Sequence, residues 1–407
     1  MSAVYRSRSC PIRPHTHTAD HFLSWEHAGS TKSGRWWSAN DRPAPKNLVV
    51  VDDRLTASQA MKYAAQGVAM LWLGDFHNAR QLLGAMDRRL ERTAAKRNAQ
   101  PGSSPSEDFY RIRQTRAQRS RMLSLLLVPI SFDTPDATAT VPLPRAPQLG
   151  AAVAFGYDRQ PGYGKQDAVL SLQELLGIQG GHQWFLKGVE VPALGARIHP
   201  HYGTFLPTRH EYVDLVAAAP LQDMELAFDI GTGTGVLAAV LAARGVRKVI
   251  GTDIHQRAVD CANDNFARLG IENTAKAQLT SMFPPGRASL VICNPPWLPG
   301  SAPTSLDAAV YDPGSKMLLQ FLSGLPDHLT EDGEGWLVIS DLAELLGLRT
   351  TSMLPDAIDR AGLEVIDRLD TVPTHARATD GTDPLHAARS RETTSLWRLR
   401  AKRRGGL

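Results

Sequence analysis

Between Leu221 and Arg400, short apolar runs alternate with stretches of helical period, and this restricts the fold more than any other feature of the chain. Leu226–Ile230, Val249–Asp253, Thr274–Leu279, Leu290–Cys293, Gly335–Ser340, Glu364–Arg368 and Thr394–Arg400 read as strands. Val236–Arg244, Gln256–Leu269, Lys316–Leu329 and Pro355–Ala361 read as helices. Strands separated by whole helices pair in parallel and need helices over both faces of their sheet. The expected class is α/β, and ligands of such a sheet belong at the carboxyl ends of its strands.

A chain of 407 residues has room for two or three units. Residues 1–46 hold His15, His17, His21 and His27, several prolines and no hydrophobic period, and read as a disordered tail. Residues 47–150 are expected to be a helical, basic accessory domain and linker. Its helices fall at Leu55–Gln66, Ala79–Leu90 and Tyr110–Leu127, and the proline-rich stretch Pro135–Gln148 closes it. Residues 151–219 form a connecting region, with a helix at Val169–Leu176, and residues 220–407 carry the alternating pattern. Gly156–Lys165 ends in Gly-Lys, but Arg159 stands where a phosphate-cradling loop needs a glycine, so no P-loop is assigned.

Composition removes several classes. Hydrophobic residues make up 43% and charged residues 21%, an ordinary globular balance. The longest apolar run, Met122–Ile130, is far shorter than the roughly 20 residues of a membrane span, and no apolar signal segment opens the chain. Cys10, Cys261 and Cys293 form neither a CxxC pair nor a zinc set, so no metal is expected and a reducing cytoplasm fits.

Chemistry concentrates at three strand ends. The first is Phe228-Asp229-Ile230-Gly231-Thr232-Gly233-Thr234-Gly235, where a strand turns into a helix. Glycines permit a tight turn and a close approach of backbone to ligand. The third glycine comes one residue too early for a dinucleotide fingerprint, and an acid directly before the turn repels a phosphate. Asp229 suits a cationic or hydroxyl-bearing ligand instead. The second is Thr252-Asp253-Ile254, whose carboxylate, at this spacing from Gly231, can hold both hydroxyls of a ribose. The third is Asn294-Pro295-Pro296-Trp297. Two prolines stiffen the backbone, the Asn294 side-chain carbonyl and the Pro295 backbone carbonyl are acceptors, and Trp297 supplies a flat face. Together they make a socket for a planar NH2 group. Cys293, on the opposite side of its strand from Asn294, reads as core.

These three segments resemble the class I S-adenosyl-L-methionine-dependent N-methyltransferases of the methyltransferase small domain type, over roughly His199–Arg400. The family includes release-factor glutamine methyltransferases and rRNA, tRNA and DNA amino-group methyltransferases. The resemblance implies a Rossmann-like seven-stranded methyltransferase sheet with its last strand antiparallel. It implies that Asp229, Gly231 and Gly233 line the methionine part of S-adenosyl-L-methionine, that Asp253 holds its ribose, that Thr232, Gly235 and Ile254 also bind the cofactor, and that Asn294, Pro295, Pro296 and Trp297 hold the target nitrogen, with Asn294 also at the cofactor. Ser281 or Thr280 stands where many relatives carry an acid near the adenine, with Met282 also at the cofactor, and Phe283 is a candidate wall. Phe205–Tyr212 is similar to the segment that closes over the cofactor in the glutamine methyltransferases, with Thr208 between Pro207 and Arg209; Lys187–Tyr202 then corresponds to the family's β-hairpin.

Charge speaks to the acceptor. Gly84–Arg121 holds ten basic and four acidic residues, whereas Pro220–Ser340 holds eight basic and thirteen acidic. A basic appendage on an acidic catalytic part fits a macromolecular acceptor, first an RNA or DNA base and first of all RNA of the translation machinery. The alternative is a protein glutamine N5-methyltransferase acting on a release factor or ribosomal protein. A non-catalytic binding protein and a nicotinamide dehydrogenase are the rivals from other classes. No membrane partner is expected, and nothing in the sequence sets an oligomeric state.

Overall fold

Two seven-stranded sheets divide the chain between them. The computed structural model describes residues 21–98, 102, 104–133, 138–157, 166–221, 224–301, 307, 309–374, 380, 381 and 383–403.

The first sheet departs from the mainly helical domain expected of residues 47–150. It is built from β1 (Phe22–His27), β2 (Ser30–Trp36), β3 (Asn47–Val51), β4 (Val68–Trp72), β5 (Leu126–Asp133), β6 (Thr138–Thr140) and β7 (Gln166–Ser171). The spatial order is β1-β2-β7-β5-β4-β3, with β6 on β5. Helices α1 (Ala57–Ala65), α2 (Phe76–Asn98), α3 (Pro105–Leu123), α4 (Gly150–Tyr157) and α5 (Leu172–Lys187) accompany it. The physical reason is burial. β4 reads Val-Ala-Met-Leu-Trp with no polar alternation because both its faces are covered, the pattern of an interior parallel strand. The basic helix stops at Leu123, so Leu126 and Leu127 belong to a strand. The helix read at Val169–Leu176 straddles an element boundary: β7 ends at Ser171, whose hydroxyl caps α5 by accepting from the Glu174 N–H.

Of the tail, residues 1–20 lie outside the described residues, but β1 and β2 form an antiparallel hairpin that joins β7 through Arg35↔Ala168 and Trp36↔Val169. Only Leu23 is buried in β1; its exposed positions are Phe22, Ser24, Glu26 and His27, as an edge strand allows. That is why no hydrophobic period announced it.

A two-stranded hairpin follows, β8 (Val189–Val191) with β9 (Ala196–Ile198), then α6 (Glu211–Ala218). The second sheet contains β10 (Leu226–Ile230), β11 (Lys248–Asp253), β12 (Ala275–Leu279), β13 (Ala288–Cys293), β14 (Leu329–Ser340), β15 (Leu363–Thr371) and β16 (Thr394–Ala401). Its order is β12-β11-β10-β13-β14-β16-β15, with β16 antiparallel to both neighbours and the others parallel. This is the expected seven-stranded sheet. Interleaved helices are α7 (Val236–Ala243), α8 (Gln256–Arg268), α9 (Lys316–His328), α10 (Leu342–Leu345), α11 (Met353–Arg360) and α12 (His386–Arg389).

Side chains alternate across this sheet. Phe228, Ile230, Val291, Cys293, Leu337 and Ile339 pack with α9 and α11, whereas Ala227, Leu290, Ile292, Trp336 and Val338 pack with α6 and α7. Strand order reverses between β10 and β13, and there the crossovers leave in opposite directions and open a crevice. Among the described residues no helix is long and apolar enough to cross a membrane.

Candidate active site

β10 and β13 are neighbours, and the register pairs Ile230 with Cys293. The glycine turn after Ile230 and the Asn294 segment after Cys293 therefore leave the sheet side by side, about 5 Å apart at their roots. Ile230 also pairs with Thr252, which brings Asp253 to the same edge. Three segments scattered over 68 positions of sequence thus meet at one crevice because parallel strands end at one level.

Gly231, Gly233 and Gly235 all have left-handed φ values of +72°, +55° and +81°. At Gly235 the need is steric as well, since a Cβ would lie 2.7 Å from the Phe266 ring. At Gly233 the space above the turn is open, with only the Gly231 carbonyl coming as close as 4.0 Å. The Gly231 and Thr232 N–H groups donate to the Thr252 carbonyl at 2.9 and 2.8 Å and pin the turn to β11.

Asp229 is buried beneath the turn. Its Oδ2 accepts from the Thr232 hydroxyl at 2.7 Å and from the Ala238 N–H at 3.1 Å; Oδ1 has no partner among the described residues. Burial pushes the carboxyl up to about 6 from 3.8, and these two hydrogen bonds oppose that only in part. Such a group is ready to ionise when a cation comes near. Asp253 is oriented by two backbone donors, Gly233 N–H to Oδ2 at 3.2 Å and His255 N–H to Oδ1 at 2.9 Å, while burial raises its pKa. Each oxygen keeps a lone pair for a hydroxyl. Ile254 beside it is 60% exposed, an uncovered apolar face next to a polar cradle.

The Thr252 hydroxyl donates to the Met282 carbonyl at 2.6 Å, tying Ser281 and Met282 to the same rim. Phe283 is committed elsewhere: it stacks on His328 with centroids 4.2 Å apart and packs near Phe321, so it is not a wall of the crevice.

On the other side, Trp297 Nε1 donates to Asn294 Oδ1 at 2.8 Å. This bond fixes both side chains and leaves the second lone pair of Oδ1 open. Pro295 is buried and Pro296 half-buried, and no donor from the described residues reaches the Pro295 carbonyl. Cys293 is fully buried among Phe228, Ile230 and Phe321, and burial pushes its thiol well above the ordinary range, so it is a core residue without nucleophilic character.

Arg209 lies in the Phe205–Tyr212 segment that leads into α6. The guanidinium lies over the Trp297 ring, 4.6 Å from its centroid. It bonds Glu211 Oε1 at 2.5 Å and Glu392 Oε1 at 3.1 Å. Glu392 in turn accepts from the Ser340 hydroxyl at 2.6 Å. Two buried carboxylates thus face one guanidinium, and Glu211 Oε2 and Glu392 Oε2 have no partner among the described residues. Tyr212, next on α6, is buried, and that burial with the charges of Asp229 and Glu211 pushes its phenol upward. Glu392 and Ser340 were invisible as site residues because their only signal is proximity after folding.

The helix α9 also reaches the crevice. Asp312 caps it by accepting from the Met317 and Leu318 N–H groups at 3.0 and 3.1 Å, and the Met317 methyl fills the space beside Gly231. Among the described residues no cluster of three His, Cys, Asp or Glu could hold a metal.

Residues 213–346, which hold the glycine turn, Asp253 and the Asn-Pro-Pro-Trp socket, match the family model of the methyltransferase small domain. Over this segment the chain is similar to that family. The chain is 30% identical over 173 residues to a release factor glutamine methyltransferase of Cereibacter sphaeroides, a match covering 37% of this chain and 62% of that one. It is also 30% identical over 108 residues to a tRNA1(Val) (adenine(37)-N6)-methyltransferase of Shewanella sediminis, covering 24% of this chain and 44% of that one. The chain thus spans less than two thirds of the length of either relative. Among solved structures, a ribosomal protein L11 methylase of Lactobacillus delbrueckii aligns with 50% of this chain and 85% of its own at 20% identity and a TM-score of 0.34.

Proposed function

We propose that the chain is an S-adenosyl-L-methionine-dependent methyltransferase that transfers a methyl group to the planar exocyclic amino nitrogen of a nucleic-acid base, in RNA of the translation machinery. The observation that carries this reading is the juxtaposition of an open glycine turn over a buried carboxylate with a rigid two-acceptor socket on the adjacent strand end.

The residues fit the cofactor. Asp229 and the excess carboxylate around Arg209 favour a ligand bearing sulfonium and ammonium charges. Asp253 has lone pairs for the ribose, and Ile254 offers its exposed face to a purine. The cofactor supplies the electrophilic methyl group. The chain's part is positioning. Asn294 Oδ1 and the Pro295 carbonyl take the two hydrogens of the acceptor NH2, and the Trp297 ring stacks on the acceptor plane. A nitrogen held by both hydrogens points its lone pair out of conjugation toward the methyl. Arg209, gripped by Glu211 and Glu392, braces the far face of Trp297 by a cation–π contact worth about 0.5–2 kcal/mol. No general base is required, because orientation and the fixed dipoles carry the rate.

A glutamine side-chain amide fits the same socket. That second reading is supported by the Arg209–Glu211 arrangement at the start of α6 and by the release-factor relative. The deciding experiment is transfer of labelled methyl into extract from cells lacking this protein, followed by nuclease or protease. Label released by nuclease and absent with Asn294→Ala supports the base reading; label released only by protease replaces it with the glutamine reading.

A further inference from the structure

The first half of the molecule does not merely hang beside the socket. Its basic helix α3 touches the chain that leaves it. After Trp297, Leu298 bridges to Tyr311, and the Asp312 N–H donates to the Leu298 carbonyl at 2.9 Å, so the excursion between them is closed at its base. Arg113 on α3 holds both ends of this base. Its NH2 donates to the Ser301 carbonyl, and its guanidinium lies flat on the Tyr311 ring, 3.5 Å from the centroid. It passes so close to Gly300 that a Cβ there would collide with it. Phe109 and Ile112, on the same face of α3, are buried with Leu298, Leu342 and Leu346.

The arginines of α3 differ in what they meet. Arg119 is tied to Asp87 and Glu91 on α2 and joins the two helices, while Arg111 pairs with Asp108 one turn away on α3; both are neutralised. Arg116 is exposed and, among the described residues, faces no carboxylate. It stands one turn beyond Arg113 on the same side of the helix. One turn further, Ser120 accepts at 2.8 Å from the guanidinium of Arg42, which is half-buried. Arg113, Arg116 and Arg42 therefore form a row about 10 Å long, the rise of the seven residues from Arg113 to Ser120. The row begins at the mouth of the socket and runs away from a catalytic part that carries an excess of carboxylates.

We propose that this row is the seat of the phosphate backbone of the strand that delivers the acceptor base, with Arg113 fixing the row to the socket. The inference rests on the base reading above and adds the surface by which the nucleic acid is held. A planar guanidinium suits both tasks, since it stacks on an aromatic ring and presents paired donors to phosphate. Each phosphate contact on a single strand makes binding more salt-sensitive by about 0.7 in the logarithmic slope. The occupant is a polyanion with regularly spaced charges, which a folded acidic protein does not present in a row.

The test uses the full chain and a fluorescent single-stranded RNA of about 16 nucleotides, titrated at low and moderate salt. The double variant Arg42→Ala with Arg116→Glu should weaken binding about tenfold and flatten the salt dependence by roughly one unit of slope. Arg360→Glu, the same reversal as at Arg116 but on the exposed end of α11, should leave affinity within about twofold. Unchanged affinity in the double variant, or an equal loss in Arg360→Glu, overturns the proposal. For the lock, Arg113→Lys keeps the charge and loses the planar stack. It should lower kcat about tenfold with KM for RNA little changed, and an unaltered kcat removes Arg113 from the account. Failure here and failure of the functional reading separate cleanly. Label in protein despite RNA bound to this row sinks the base reading alone, whereas an intact RNA affinity in the double variant sinks the row wherever the label goes.

Discussion

The two sheets end their parallel strands in carboxylates, yet among the described residues only the first pairs any of them with a cation. In the first sheet, β3 runs into Asp52 and Asp53, and the residues after β4 include Asp75. Each of these acids is spent on its neighbours. Asp52 pairs with Arg54, Asp75 pairs with Arg145 and caps the start of α2, and Asp53 accepts from the Asp75 N–H and the Asn78 amide. Gly74 leaves no space, since a Cβ there would lie 2.7 Å from Asp53. In the second sheet, Asp229 and Asp253 are held by backbone N–H groups and one hydroxyl, with no cation on either among the described residues, beneath a glycine turn that is open above Gly233. The layering is shared; what differs is whether the strand-end charges are closed on themselves or kept for something that arrives.

The sharpest way to break this comparison is to remove one carboxylate from each edge. Asp229→Ala should cost at least about a hundredfold in affinity for S-adenosyl-L-methionine, measured by calorimetric titration, because a buried charge partner is lost. Asp53→Ala should lower the thermal midpoint and leave that affinity unchanged. An equal loss in both variants would mean that the first sheet also serves the ligand.

A smaller effect is expected from pH. The folded-state pKa of Asp229 is raised to about 6 from 3.8, so the carboxyl is neutral below about 6 and ionised above it. Without ligand, the stability this group contributes is present at low pH and fades as pH rises through about 6, because burial opposes ionisation. A cationic ligand reverses the preference. Its affinity should therefore fall by up to about tenfold for each pH unit below 6, and Asp229→Asn should flatten the profile. A flat profile in the unaltered protein would remove Asp229 from contact with the ligand's charge.

The least effect in this set concerns the turn itself. Gly235→Ala should destabilise the second half by about 1–3 kcal/mol, from its φ of +81° and the collision with Phe266, and should be visible as a lowered melting transition. Gly67→Ala, also at positive φ but with nothing within 4 Å of its Cβ, should cost less.

The same contrast explains what could be read from the sequence. The second sheet was legible because its strands are separated by helices and carry their chemistry at their ends: every strand from Leu226 to Thr394 was anticipated, and Asp229, Gly231, Asp253 and Asn294 do converge. The first sheet was not. β4 and the start of β5 are apolar runs that periodicity cannot distinguish from buried helix, β7 offers only Ala168–Leu170, and the edge strand β1 with its hairpin partner β2 has almost no buried face. Arg209 was visible as a candidate, but its partner Glu392 lies 183 positions away and carries no motif. Arg113 read as one of many arginines on a charged helix until folding laid it on Tyr311.

The central claim is that the socket after β13 presents an acceptor nitrogen to a methyl donor held at the turn after β10. It is tested most directly by measuring cofactor affinity and methyl transfer together on Asn294→Ala. Affinity for S-adenosyl-L-methionine within about threefold of the unaltered protein, with transfer reduced by about a hundredfold or more, is the predicted result. Transfer at the unaltered rate with Asn294 gone would contradict it.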